Sequence, residues 1–146
     1  MRVEFTVPGD PQGKQRPRFS QRTGQAYTPP KTRDYERLIR DCYRAKYGDL
    51  MFPEGATVLM FVTAYFGIPK SATKAKAAKM LQGIIRPTKV PDWDNIGKVF
   101  GDAGNGCIYH DDKCVVQGTV EKYYSTDPRV EVVLVDMEEY MQWQDG

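Results

Sequence analysis

The chain has a single histidine, His110, and three cysteines, Cys42, Cys107 and Cys114. Three is too few, and the wrong parity, for a disulfide framework. Cys107, His110 and Cys114 lie near one another in sequence, but a structural zinc takes four ligands, and no CxxC pair or second histidine completes the set. His110 has no nucleophile–base context, which leaves it outside any triad chemistry. No apolar run approaches the roughly 18 residues of a membrane span. The opening MRVEFTVPGD alternates apolar and polar residues where a signal peptide would carry an apolar core. A cytoplasmic protein without a membrane partner is expected. There is no P-loop or Rossmann glycine fingerprint, which argues against a further class, Mg²⁺ enzymes acting on nucleotides.

What remains is ordinary globular material: 146 residues, 40% hydrophobic and 27% charged. That length predicts one domain, 1–146, with its own core. The net charge is only +2, but it is unevenly spread. Residues 1–98 carry 18 Lys and Arg against 9 Asp and Glu, and residues 99–146 carry 3 against 10. A split of this size predicts a basic surface facing a polyanion, with acids gathered elsewhere.

Residues 2–7, RVEFTV, have the two-residue period of a strand. A long Gly-, Pro- and Arg-rich loop follows, and loops of that length inside a domain are usually functional or mobile. KTRDYERLIRDCYRAKYG places Tyr35, Leu38, Ile39, Cys42 and Tyr43 at helical spacing, with Thr32 or Asp34 as cap and Gly48 as stop. ATVLMFVTAYF reads as a central strand buried on both faces. A lysine-rich helix is expected after Ser71, ending at Gly83, and a short one from near Asp94. CVVQGTVEKYYS and RVEVVLVDM flank the turn signal TDP and predict an antiparallel hairpin. EEYMQWQ closes the chain as a helix. The order predicts an α+β domain.

Between Val90 and Lys113 five acids crowd together: Asp92, Asp94, Asp102, Asp111 and Asp112, with Lys98 as the one interior base. On extended backbone Asp92 and Asp94 project the same way, and Lys98 follows Asp94 by one helical turn. Carboxylates held close repel unless a cation offsets them. An oxygen-only ligand set selects a hard ion, Mg²⁺ with Mn²⁺ as a substitute. An EF-hand register starting at Asp92 fails, because Ile96 and Ala103 stand at ligand positions.

The run KVPDWDNIGKVFGD…NGCIYHDDK, with GKQRPRF near the N-terminus, resembles the RusA-type Holliday junction resolvases over essentially the whole chain. The resemblance implies a mixed β-sheet with helices packed on it. It also implies a Mg²⁺-dependent homodimer that resolves four-way DNA junctions by symmetric paired nicks. Carried onto this chain, Asp92, Asp94 and Asp112 hold the metal, Lys98 is the catalytic lysine, and Asp102 and Asp111 are auxiliary. Lys14, Arg16, Arg18 and Arg22 of the loop are expected on DNA phosphates, joined by Lys74 and Lys76, with Phe19 and Tyr27 placed to stack on bases. The chain departs from the family pattern at Gly97, Gly101 and Ala103-Gly104, and the glycines predict a softened helix. A competing class is a catalytically weak module that binds branched DNA without cutting it.

Overall fold

The computed structural model describes all 146 residues. Strand β1 (Arg2–Pro8) is followed by a miniature hairpin, β2 (Arg18–Phe19) with β3 (Ala26–Tyr27), and by helix α1 (Pro30–Tyr47). Then come β4 (Val58–Gly67), α2 (Lys74–Leu81), α3 (Trp93–Ala103), β5 (Val115–Ser125), β6 (Arg129–Asp136) and α4 (Met137–Asp145). The α+β reading holds. One mixed four-stranded sheet runs β1-β6-β4-β5, with β4 and β5 parallel and the other pairs antiparallel.

The expected β5–β6 hairpin does not form, because β4 lies between the two strands. Its alternating apolar residues Val58, Met60, Val62, Ala64 and Phe66 all enter the core, and pairing on both edges satisfies the backbone of a strand so deeply set. The three residues Thr126–Pro128 are long enough for this detour, since two strand spacings come to about 10 Å. The detour passes over the end of β4, where a Cβ on Gly67 would lie 3.3 Å from Pro128 Cγ. Nor is β4 buried on both faces. Phe61, Thr63 and Tyr65 are only half-buried, because α4 reaches just one end of that face, stacking Tyr140 on Phe61.

The other face of the sheet carries the main core of 22 residues. Into it α1 sends Tyr35, Ile39 and Tyr43, one face at four-residue spacing, while Cys42 lies at its margin and Leu38, expected on the same face, is exposed. From α3 come Ile96, Val99, Phe100 and Ala103, and each of the large ones contributes about 1.5–3 kcal/mol by leaving water. Phe100 meets Tyr35 edge to face at 6.0 Å. The glycines do not interrupt α3, and at Gly97 it lies so close to β5 that an added Cβ would stand 3.3 Å from Val120 Cγ2.

Helix starts differ from expectation in detail. Pro30 at the first position opens α1, where a missing N–H is harmless. Thr32 is buried instead, and its hydroxyl serves Gln15. Thr73, in place of Ser71, caps α2. Asp92 occupies the N-cap of α3, and Asp94 sits inside its first turn.

Candidate active site

The apolar face of α3 fixes where its acids point. With Ile96, Val99 and Phe100 inward, Asp94, Lys98 and Asp102 follow one another at four-residue spacing along the outer side. Asp94 and Lys98 are exposed and Asp102 is half-buried. A carboxylate in the first turn also meets the positive end of the helix dipole.

After α3 the chain hooks back. Ile108 N–H donates to Gly104 O at 2.8 Å, and Gly106 N–H to Tyr109 O at 2.8 Å. The buried Tyr109 donates its hydroxyl to Gly101 O at 2.7 Å. Asn105 completes the hook: its Oδ1 accepts the Asp112 N–H at 2.7 Å, and its Nδ2 donates to Asp112 Oδ2 at 3.4 Å. Asp112 is thereby set beside Asp102. Its carboxyl is pushed above the ordinary range, chiefly by burial, partly offset by Asn105, and then raised further by the charges of Asp111 and Asp102. Asp111 Oδ1 accepts the Lys113 N–H and caps the short turn that leads into β5.

Asp92 opens instead onto a cleft of about 510 Å³ shared with Gly13, Lys14, Lys31, Pro91 and Asn95. The acids therefore form two groups, Asp92 with Asp94 at the start of α3 and Asp102 with Asp112 at its end. Eight residues of helix separate Asp94 from Asp102, about 12 Å of rise. No three acidic, histidine or cysteine side chains converge closely enough to cage an ion. The expected set Asp92, Asp94 and Asp112 is thus not drawn into one cluster. In donor chemistry the fit to a hard divalent ion is good. All the donors are oxygens, and none of Asp92, Asp94, Asp111 and Asp112 has a cationic side chain in an ion pair. Cys107 is buried, Cys42 and Cys114 are half-buried free thiols, and His110 is exposed.

The basic residues divide as well. Arg16, Arg18 and Arg22 are exposed with unpaired guanidiniums, and Lys74 and Lys76 stand free on α2. The β2–β3 hairpin, absent from the sequence reading, holds itself by Ser20 N–H to Gln25 O at 2.9 Å and presents Phe19 and Tyr27 to solvent. Lys14 differs from its loop neighbours. It turns inward, Nζ at 3.1 Å from Glu36 Oε1 and 3.2 Å from Asp102 Oδ2. Burial works against its charge, but Glu36 and then Asp102 outweigh that and hold the amine above the ordinary lysine value. Glu36 escaped the sequence reading. The only signal was a carboxylate next to Tyr35 on the apolar stripe of α1.

A family model described as Endodeoxyribonuclease RusA matches residues 8–135. The chain belongs to the RusA endodeoxyribonuclease family. The matched span takes in the basic loop, all of α3 and the hook carrying Asp112, so the acids and the Arg-bearing hairpin lie inside the RusA region. The chain is also similar to "Uncharacterized protein YqaN" of Bacillus subtilis (strain 168), 39% identical over 139 residues, covering 90% of this chain and 94% of that protein. No helix is long and apolar enough to cross a membrane.

Proposed function

We propose that this RusA-family chain is a divalent-metal-dependent endonuclease of the cytoplasm that resolves four-way DNA junctions as a homodimer, placing paired symmetric nicks. One observation carries the reading. Four carboxylates without ion-pair partners accompany the equally unpaired Lys98 on α3 and the hook behind it, in a chain whose N-terminal loop carries exposed arginines suited to phosphate. Asp92, Asp94 and Asp112 would hold Mg²⁺ or Mn²⁺, with Asp102 and Asp111 in support. When bound, such an ion neutralises phosphate charge and acidifies a water. Lys98 offsets the charge that develops on the phosphoryl oxygens. Arg16, Arg18 and Arg22 grip the backbone, and Phe19 and Tyr27 stack on bases opened at the branch point. A twofold dimer matches the twofold symmetry of the junction.

The test is a labelled synthetic four-way junction with Mg²⁺, run beside a linear duplex and the Asp94→Asn variant. Wild type nicks the junction at symmetric positions, and the variant binds without cutting. Equal cutting by both proteins rules the assignment out. The separation of Asp92 and Asp94 from Asp112 favours a second reading, a branched-DNA-binding module with weak activity. A clear gel shift with no nicks in Mg²⁺ or Mn²⁺ would select it.

A further inference from the structure

Lys14 sits in the most basic stretch of the chain, yet it is withdrawn from solvent. Its side chain is 14% exposed, and its partners Glu36 and Asp102 are 11% and 29% exposed. One ammonium thus ties α1 to α3 at the point where Asp102 borders Asp112. The backbone on either side is fixed by the same helices. Lys14 N–H donates to Asn95 O at 2.9 Å, and Gln15 N–H to Thr32 Oγ1 at 3.1 Å. Gly13 lies so near α3 that a Cβ there would stand 2.8 Å from Pro91 Cβ and 3.0 Å from Asn95 Cβ. The root of the arginine-bearing hairpin is therefore bolted to both ends of the acidic face, to Asn95 at the start of α3 and to Asp102 at its end.

We infer that Lys14 is a positioning residue, which sets the spacing between the DNA-gripping hairpin and the acids of α3 and does not itself contact DNA. This rests on the nuclease reading. A phosphate-contacting lysine and a bolt make opposite predictions. Loss of a phosphate contact lowers the slope of log affinity against log salt by about one, while loss of an internal tie leaves the slope alone. Misplacing a reacting group by a fraction of its reach lowers turnover instead, here by about tenfold to a hundredfold at saturating junction.

The experiment compares wild type with Lys14→Gln, Lys14→Arg and Arg16→Gln. Junction affinity is measured across a salt series in EDTA, and kcat and KM in Mg²⁺, after thermal melts establish that each variant is folded. Arg16→Gln lowers the salt slope and raises KM. Lys14→Gln keeps the wild-type slope and KM and loses kcat, and Lys14→Arg recovers most of that loss because it keeps the charge between the two acids. If Lys14→Gln melts below the assay temperature, Glu36→Gln carries the comparison, since it removes the nearer partner of the tie and leaves every basic side chain in place: kcat falls while the wild-type slope is kept, and an unchanged kcat overturns the inference. A lowered slope in either Lys14 variant overturns the inference, as does an unchanged kcat in folded Lys14→Gln. A wild type that binds the junction but cuts nothing removes the nuclease reading and the positioning role with it, a result told apart by the wild-type lane alone.

Discussion

Replacing Gly104 by alanine sets two physical effects against each other. Its backbone lies at φ −72° and ψ −18°, comfortable for any L residue. On conformational grounds alone alanine there would stabilise the chain by about 0.4–1 kcal/mol through the unfolded state. The new Cβ, however, would stand 2.6 Å from both the Cζ and the hydroxyl oxygen of Tyr109. Tyr109 is 2% exposed and has no room to retreat. Overpacking of this kind costs about 1–3 kcal/mol, and losing the Tyr109 hydrogen bond to Gly101 about 0.5–1.5 more. Sterics win, with a net loss of about 0.5–4 kcal/mol once the conformational gain is subtracted. At the usual entropy per residue, 146 residues lose about 3 °C per kcal/mol, so Gly104→Ala should melt about 2–12 °C lower. Gly101, three residues earlier in the same helix, has nothing within 4 Å of the place an added methyl would take, so Gly101→Ala should melt about 1–3 °C higher. Calorimetry on the two variants decides. A Gly104→Ala melting point at or above wild type would show that the hook does not pack as described. Cleavage should fall in step in Gly104→Ala, since the displaced hook carries Asp112.

Gly13→Ala meets Pro91 and Asn95 in the same way and should cost about 1–3 kcal/mol in denaturant melts, with a raised KM for junction as the loop root lifts. Asp112 has a folded-state carboxyl raised above its ordinary value, so its ionised form burdens the native state at neutral pH, and the burden disappears as pH falls through the raised value. Asp112→Asn should therefore melt higher than wild type at neutral pH in metal-free buffer, with the gap closing in acid, while cleavage is lost. Lys98→Met should leave junction affinity within a few-fold and abolish nicking, read from gel shifts and nicking assays on the same preparation. Arg16, Arg18 and Arg22 changed together to Gln should flatten the salt dependence of binding by about three units of slope.

The parts of this fold that were legible in the sequence are those set by local pattern. The alternation of Val3, Phe5 and Val7 and the four-residue spacing of Tyr35, Ile39 and Tyr43 each name their element and its buried side. Strand order was not legible. Thr126-Asp127-Pro128 suits a tight hairpin and a detour around β4 equally, and the choice falls to β4, whose need for partners on both edges is a tertiary matter. The acids of the candidate site could be named because their spacing is unusual, but their grouping depends on how far the hook reaches back along α3. Lys14 could not be told from Arg16 by composition. The two differ because Glu36, 22 residues onward, and Asp102, on another helix, both reach the lysine's ammonium.

Asp92, Asp94 and Asp112 are proposed to serve one divalent ion, although Asp92 and Asp94 lie at the start of α3 and Asp112 beside its end. Calorimetric titration of Mn²⁺ into wild type and into Asp92→Asn, Asp94→Asn and Asp112→Asn tests this directly. Saturable binding by wild type that each single substitution weakens at least tenfold is the predicted result. Binding that survives Asp92→Asn and Asp94→Asn undiminished while Asp112→Asn removes it would place the ion at the far end of α3 and contradict the shared site.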